Sequence, residues 1–273
     1  MFVTIITDCI DSNAFGRQMT RATSLFGFTA VPVAITPEFE VPSDLEAGGH
    51  LIDMLDASRG EAGIILVNKA PRSGKAKKWL NGTPFGYFWY NKTLVVSSVD
   101  GFALSLIKKL KLTDSIKIFD IPTVMNFAKE HSLIDHFDAD YVVTTQFRSF
   151  EFLPRVAKWV YEGLQVPTEN YSLDNIDDCP NAVFFADIFG NLKTTILPDQ
   201  VGFEHGKEIN FELFGKMKCY DRLKDLPNKE TGLIIGSSGF KEHRFLEIMT
   251  QGASAKQKFG ATIGTPIKII KTD

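Results

Sequence analysis

The stretch "FVTIITDCIDSNAFGRQMTRATSLFGFTAVPVAI", residues 2 to 35, decides the fold class. It begins with an apolar, β-branched run that ends before Asp8, which is the pattern of a buried strand. Apolar side chains then recur at helical spacing, and Ser12 is a suitable residue to cap the helix that they predict. A second β-branched run, residues 29 to 35, predicts the next strand. A unit of this kind predicts parallel strands with a helix packed on one face.

The same alternation continues to about residue 165. The stretch 43–58 predicts a helix with a capping-type Ser43 at its start, and the stretch 62–68 predicts another buried strand. Further strands are predicted at "TLVVSS" and "ADYVVTT", and further helices at "FALSLIKKL", "IPTVMNFAKEH" and "FLPRVAKWVYEGL". Alternating strands and helices predict an α/β fold with a mostly parallel sheet and flanking helices.

The ends of the predicted strands are candidate ligand positions, because sheets of this class bind ligands beyond the carboxyl ends of their strands. Asp8 and Asn68 each lie at the end of a predicted strand, and so do the residues after "YVVTT". We therefore expect a binding site that contains these positions.

The pattern changes after the polar stretch "QVPTENYSLDNIDDCPN", residues 165 to 181, which contains two prolines and has no periodicity. Beyond it, short strands are predicted between turn residues in "AVFFADIFGNLKTTI", "EINFELFGKMKCYDRL", "TGLIIGSS" and "TPIKIIKT". Such a pattern is typical of a barrel or sandwich. We expect an α/β domain over residues 1–165, a linker over 166–180 and a smaller β-barrel domain over 181–273.

The composition argues against several classes of function. The chain has 273 residues and a net charge of −3, so it lacks the basic surplus with which proteins bind nucleic acid. No apolar run approaches the ~20 residues that span a bilayer, and "MFVTIITDCI" lacks the basic segment of a signal peptide. Cys9, Cys179 and Cys219 are scattered and odd in number, which favours a reducing compartment over a disulfide framework. We expect a cytoplasmic protein without a nucleic-acid or membrane partner.

Common catalytic motifs are also missing from the sequence. It contains no GxGxxG after the first strand, no GxxxxGK[ST], no HExxH and no GxSxG. The histidines do not have the spacing of metal ligands: His50, His131, His136, His205 and His243. We therefore expect no metal site, and we interpret the histidines as solvated or locally hydrogen-bonded.

Two short segments allow a local interpretation and a functional one. "DIFGN", residues 187 to 191, interrupts a run of strand-forming residues and contains the usual turn formers Asp, Gly and Asn. The same segment offers a carboxylate, an aromatic ring and an amide, which together suit a small polar ligand with a flat ring. "PRSGKAKK", residues 71 to 78, is either a solvated loop or an anion contact above the sheet.

Four segments in order resemble one protein family. "FVTIITDCIDSNAFGRQMTRA" resembles its opening strand, acidic turn and helix, and "PSDLEAGGHLIDML" with "GIILVN" resembles its second helix and third strand. "DIFGNLKTTI" resembles its signature D-x-F-G-N-x-x-T-N-I, and "IGSSGF" with "FLEIMTQGASAKQKFGATIGTPIKI" resembles its closing segment. The family comprises the S-adenosylmethionine (SAM) hydroxide adenosyltransferases, also called SAM hydrolases, with the fluorinase and the chlorinase. The resemblance implies an α/β domain, a C-terminal β-barrel and a homotrimer with SAM bound between subunits, as substrate or ligand and with no other cofactor.

The resemblance also implies roles for matched residues in the first and third segments. Asp8 would accept hydrogen bonds from both ribose hydroxyls, which a carboxylate with two oxygens can do. Asp187 would contact the methionine amino group. Phe189 and Asn191 would contact the adenosine, Asn191 through hydrogen bonds to the ring.

In the closing segment, Ser237 and Ser238 match positions that contact the methionine carboxylate and the purine. Gly252 matches a small position beside the adenine. The segment departs from the family pattern by the inserted "KEHR", residues 241 to 244.

The residues that handle water in the family are altered in this chain. Water-using members carry D-P-G-V-G-x-x-R and F-H-G-R-D, whereas this chain carries "NKAPRSGK" and "TQFRSFEFLP". Asn68 replaces the Asp and Lys75 falls at the Arg position. An ungapped alignment puts Phe147 at the His, and one gap puts Arg148 there and Ser149 at the halide-contacting serine of the fluorinase. The family's "DNG" is here "VDG", with Asp100.

Two interpretations of function therefore stay open. In the first, an enzyme cleaves SAM at the ribose 5′ carbon with altered machinery, so that Asn68, Lys75 and Ser149 are its candidate catalytic residues. In the second, a non-catalytic relative binds SAM or adenosine as a sensor or scaffold. A halogenase is a minor third possibility that depends on Ser149 alone.

Overall fold

Two mixed β-sheets form the framework of the protein. The computed structural model describes residues 1–37, 42–69 and 82–270. Within these residues the first sheet has the order β2-β1-β3-β5-β4-β6-β7. Its strands are β1 (Phe2–Thr7), β2 (Val31–Ala34), β3 (Gly63–Asn68), β4 (Phe85–Tyr90), β5 (Thr93–Ser98), β6 (Ser115–Ile118) and β7 (Glu169–Ser172). β1, β2, β3 and β5 are parallel, whereas β4 and β7 pair antiparallel to their neighbours.

Helices cover both faces of the first sheet, as expected for an α/β fold. They are α1 (Ser12–Phe26), α2 (Ser43–Ser58), α3 (Ser105–Lys109), α4 (Ile121–Glu130), α5 (His136–Thr144), α6 (Arg148–Glu151) and α7 (Leu153–Tyr161). Ile5 of β1 packs in the core shared with α1, α4, α5 and α7, whereas Ile6 packs in the core shared with α2 and α3. Successive strand residues face opposite ways, so an apolar strand such as β1 serves both cores.

The second sheet lies in the C-terminal part of the chain and has the order β10-β11-β12-β13-β9-β8. Its strands are β8 (Val183–Ala186), β9 (Leu192–Thr194), β10 (Glu208–Phe211), β11 (Gly215–Tyr220), β12 (Thr231–Phe240) and β13 (His243–Thr250), followed by the helix α8 (Ala255–Phe259). Neighbours are antiparallel except β11 and β12.

The segment 264–270 makes backbone hydrogen bonds to both edges of the second sheet. Gly264 donates to the carbonyl of Val183 at 2.8 Å, beside β8, and Ile270 donates to the carbonyl of Asn210 at 2.8 Å, in β10. Residues 265–270 of the predicted strand "TPIKIIKT" therefore take part in pairing through isolated bridges rather than as a regular strand, and its last two residues lie outside the described residues.

The stretch predicted as a linker contains regular structure. β7 pairs with β6 at the edge of the first sheet, and a 3₁₀ turn at Leu173–Asn175 follows it. The strand is short, polar and mostly exposed, so it lacks the alternation by which strands are detected in a sequence. Within the described residues, the two sheets share no strand. The strands of the first sheet all precede residue 173 in the sequence, and those of the second sheet all follow residue 181.

The predicted strand "ADYVVTT" is wrong, because these residues form most of α5. Asp135 caps the helix by accepting a hydrogen bond from the backbone of Asp138 at 2.7 Å. Ala139 and Val142, three residues apart, are the buried positions on one helix face. The residues after this segment consequently do not follow a strand. In the described ranges, we find no helix that is both long enough and apolar enough to cross a membrane.

Candidate functional site

Asp8 and Asn68 lie side by side at the carboxyl edge of the first sheet. Asp8 follows β1, Asn68 ends β3, and Thr7 pairs in register with Asn68. The sequence prediction that these two residues share one edge is therefore confirmed. This is the edge at which open α/β sheets bind ligands.

Lys69 completes this group, and sequence analysis missed it. Its ammonium Nζ lies 3.0 Å from Oδ2 of Asp8, and the side chains of Lys69 and Asp8 are 0% and 7% exposed. Lysine is rarely fully buried unless it is paired. The available signal was its position directly after the buried strand β3. We call Asp8, Cys9, Asn68 and Lys69 the strand-end cluster.

The other members of the strand-end cluster are held by hydrogen bonds. Nδ2 of Asn68 donates to Oγ1 of Thr7 at 3.1 Å and lies 3.5 Å from Sγ of Cys9. The backbone of Cys9 also donates to Oγ1 of Thr7, at 3.1 Å. Ser98, the last residue of β5, fixes the backbone of Lys69, because its hydroxyl accepts from the amide of Lys69 and donates to its carbonyl. The amide of Asn68 is thus a donor within the cluster and cannot act as a base.

The segment "DIFGN" forms the turn between β8 and β9. Oδ1 of Asp187 accepts from the backbone of Phe189 and of Asn191, each at 2.9 Å, and Oδ2 accepts from Nδ2 of Asn191 at 2.9 Å. Gly190 has a φ of 82°, and a Cβ there would lie 2.0 Å from Oγ of Ser254. The turn interpretation is therefore confirmed for Asp187, Gly190 and Asn191.

Two apolar side chains project from this turn into solvent. Ile188 is 93% exposed and Phe189 is 73% exposed. The ring of Phe189 is thus accessible to a ligand or a partner. The predicted ligand contacts of Asp187, Phe189 and Asn191 stay predictions.

Ser237 and Ser238 belong to a second polar group, at the irregular point of β12. Oγ of Ser238 accepts from Nζ of Lys193 at 2.7 Å and donates to Oδ2 of Asp53 at 2.9 Å. The backbone of Ser237 donates to Oε1 of Glu247 at 3.1 Å. Sequence analysis missed Glu247. A single carboxylate within the apolar run "FLEIM" was the signal that this residue is buried in a strand. We call Lys193, Ser237, Ser238 and Glu247 the β12 cluster.

Burial is the main cause of a raised pKa at Glu247. The residue is 5% exposed, and desolvation raises the pKa of its carboxyl group above the ordinary value. The ammonium of Lys193, 3.9 Å away, opposes this shift, whereas the negative charge of Asp187 adds to it. Asp187 of the β8–β9 turn is thus one of the charges that affect the pKa of Glu247.

The helix α2 holds the β12 cluster against the first sheet. Oδ1 of Asp53 accepts from the backbone of Gly239 at 3.0 Å, in addition to the bond from Ser238. One turn along α2, Asp56 accepts from the backbone of Lys241 at 2.7 Å and from Nη1 of Arg244 at 2.9 Å. Lys241 and Arg244 of the inserted "KEHR" segment thus each connect the part of the chain that forms the second sheet to helix α2.

Gly252 and Ser149 belong to neither cluster. Gly252 is exposed after β13 with a φ of 72°. Oγ of Ser149, in α6, accepts from Nε2 of the buried Gln18 of α1 at 3.1 Å. Lys75 lies outside the described residues.

Neither alternative at the family's histidine position supplies a base. Phe147 stacks on Phe150 at 5.3 Å between ring centroids, with the guanidinium of Arg17 over its ring. Arg148 donates to the carbonyl of Thr83 at 3.0 Å, and burial lowers the pKa of its guanidinium, which stays a cation near neutral pH. In the described part of the chain, no three His, Cys, Asp or Glu side chains are grouped to hold a metal ion.

Comparisons with known proteins identify the fold alone. No protein-family model matches the sequence, and no curated protein matches it. An uncharacterized conserved protein from Thermotoga maritima has a similar structure, with a TM-score of 0.68, 17% identity and coverage of 98% of this chain and 100% of that one. A conserved hypothetical protein from Thermus thermophilus is also similar, with a TM-score of 0.61, 15% identity and coverage of 98% and 99%. The whole chain therefore shares its fold with both proteins.

Proposed function

We propose that this protein binds SAM and cleaves it by nucleophilic substitution at the ribose 5′ carbon, with hydroxide giving adenosine and methionine. The observation that carries the proposal is the strand-end cluster, in which the Asp8 carboxylate is held beside Asn68 at the ligand-binding edge of an α/β sheet. A carboxylate in this position suits the two neighbouring hydroxyls of a ribose.

The proposed reaction needs no acid for its leaving group, and the attacking water loses one proton to become the hydroxide nucleophile. A bond forms between the attacking oxygen and the 5′ carbon, the bond between this carbon and sulfur breaks, and its electron pair neutralises the sulfonium. The leaving group is already cationic, so it needs no proton. The protein has to align the nucleophile with the 5′ carbon and to remove the water that solvates the nucleophile.

We also propose the finer architecture that the resemblance implies, in which the second sheet closes into a barrel and three copies of the chain assemble. The backbone bonds of the segment 264–270 to both edges of this sheet support closure. In the trimer, the strand-end cluster of one subunit would face the β8–β9 turn and the β12 cluster of another. The exposure of Ile188 and Phe189 at that turn supports a contact there.

A specific observation favours a second candidate function, that of a non-catalytic SAM or adenosine binder. The amide of Asn68 donates to Thr7, and Phe147 is packed against Phe150, so neither supplies a base for water. A protein with these residues can retain the ligand and lose the reaction. It would then act as a sensor or a scaffold.

Incubation with SAM separates these functions. The protein is incubated with SAM, with and without chloride or fluoride, and the products are separated by chromatography. Adenosine and methionine support the hydrolase, and a 5′-halogenated adenosine supports the halogenase through Ser149. Binding of SAM by calorimetry without any product supports the sensor. Absence of both binding and turnover contradicts the proposal.

A matched pair of variants tests whether any turnover belongs to the proposed site. Asp8→Ala should abolish it, whereas Asp11→Ala should retain it. Asp11 is a carboxylate three positions away that caps α1. Equal activity of both variants would mean that the reaction arises elsewhere.

A further inference from the structure

Lys69 is a buried cation that neither the sequence nor the resemblance assigns a role. Its side chain is fully buried, and its ammonium lies 3.0 Å from Oδ2 of Asp8. Its backbone is fixed on both sides by Ser98. The backbone from which the ammonium reaches Asp8 is therefore held in place.

Stability alone is a poor reason for such a pair. Replacing a buried ion pair by apolar side chains of similar volume is often neutral or stabilising. The charge is thus explained better by what it does to Asp8 than by packing.

We infer that Lys69 is a positioning residue, which orients the carboxylate of Asp8 so that it accepts hydrogen bonds from two adjacent hydroxyls of a nucleoside ligand. This inference rests on the proposed function and extends it to a residue and a ligand class. An ionised carboxylate offers about four acceptor positions on two oxygens. Nζ of Lys69 lies 3.0 Å from Oδ2, and Sγ of Cys9 lies 3.8 Å from Oδ1. A carboxylate that is already oriented loses less freedom when the ligand binds.

The inference makes a prediction about ligand selectivity that a purely structural role does not make. Substitution of a positioning residue lowers the affinity for ligands that carry both hydroxyls and leaves the affinity for ligands without them unchanged. A residue that only stabilises the fold affects both ligands alike. The ratio of the affinities for adenosine and 2′,3′-dideoxyadenosine therefore separates the two roles.

The experiment measures both ligands by calorimetry on the wild type and on four variants of the full chain. Lys69→Met removes the charge at similar length, and Lys69→Arg keeps a cation. Lys69→Gln keeps a donor without charge and serves if the Met variant does not fold, as judged by circular dichroism. Lys109→Met is the control, because Lys109 is a partly buried lysine whose ammonium donates to the carbonyl of Thr195 at 2.6 Å.

We expect the wild type to prefer adenosine, and Lys69→Met or Lys69→Gln to lower this preference about tenfold or more, the size expected for one hydrogen bond to a charged group. Lys69→Arg should restore most of the preference, and Lys109→Met should leave it unchanged.

Two results overturn the inference, and they differ in what they imply for the proposed function. If the wild type prefers adenosine and the charge-removing variants keep the same ratio, Lys69 does not position Asp8 but the proposed function stands. If the wild type binds neither adenosine nor SAM, the proposed function fails and the inference fails with it.

Discussion

At the scale of single residues, the carboxylate of Asp8 is the group on which the proposed ligand site depends. Asp8→Ala removes the acceptor for the ribose hydroxyls, and we expect the affinity for SAM and adenosine to fall about tenfold to a hundredfold, as for a lost hydrogen bond to a charged group. Calorimetry measures this change. Asp11→Ala should bind as the wild type does, and an unchanged affinity of the Asp8 variant would remove Asp8 from the site.

Glu247 gives the protein a predicted dependence of stability on pH. Burial raises the pKa of its carboxyl group in the folded state above the ordinary value of the unfolded chain. The folded state therefore holds the proton more tightly between the two values. The contribution of Glu247 to stability is fully present below the ordinary carboxyl pKa and is lost as pH rises through the raised one.

The variant Glu247→Gln should lack this dependence, because its amide does not titrate. Urea unfolding at about pH 4 and about pH 8, on either side of the ordinary range for a buried carboxyl group, measures the effect. We expect the stability of the wild type relative to the variant to be lower at the higher pH. A constant difference across this range would show that the pKa of Glu247 is not raised.

At the scale of elements, the β8–β9 turn is shaped by Asp187. Its carboxylate accepts three hydrogen bonds from within the turn. We expect Asp187→Ala to lower the free energy of unfolding by about 1–2 kcal/mol, as for the loss of a side-chain cap. Asp187→Asn keeps one acceptor oxygen and should cost less. Equal unfolding free energies of the Ala variant and the wild type would mean that the turn does not need this carboxylate.

Elements with a strong apolar pattern were predictable from the sequence. β1, β3 and β5 are buried runs of β-branched residues, and α1 and α2 lie where the apolar spacing predicts them. The predicted caps are wrong, because Asp11 rather than Ser12 accepts hydrogen bonds from the first turn of α1, and Pro42 precedes Ser43 at the start of α2 without a side-chain cap. α5 was mistaken for a strand because Tyr141, Val142 and Val143 favour strands by composition. The cap at Asp135 and the burial of one face stabilise the helix instead.

The site was predictable only in part, for a physical reason. Sequence position showed that Asp8 and Asn68 end neighbouring strands, and this placed them together. It did not show that Lys69 is buried, since burial depends on Ser98 and on strands distant in sequence. Nor did it show that Ser238 bonds to Asp53, 185 positions away along the chain.

At the scale of the whole molecule, α2 makes several contacts that join the two parts of the chain. Asp53 and Asp56 lie three positions apart and therefore on one helix face. Together they bind the backbone of Gly239 and Lys241 and the guanidinium of Arg244. These contacts fix the β12 cluster relative to the first sheet. A ligand that bridges subunits would thus meet a preformed surface on each side.

The proposed homotrimer is the last prediction, and the β8–β9 turn is where it is tested. Ile188 and the adjacent Phe189 are 93% and 73% exposed, and two adjoining exposed apolar side chains suit a surface that a partner covers. We expect light scattering to give three times the chain mass for the wild type and a smaller mass for Ile188→Asp, because a buried unpaired carboxylate opposes association. Leu213→Asp is the matched control, a 54% exposed apolar residue in the β10–β11 turn, and it should stay trimeric. SAM binding should weaken together with assembly, since the proposed site uses residues of two subunits. A wild-type monomer that binds SAM at full affinity would contradict the trimer and leave the strand-end cluster as a site complete within one chain.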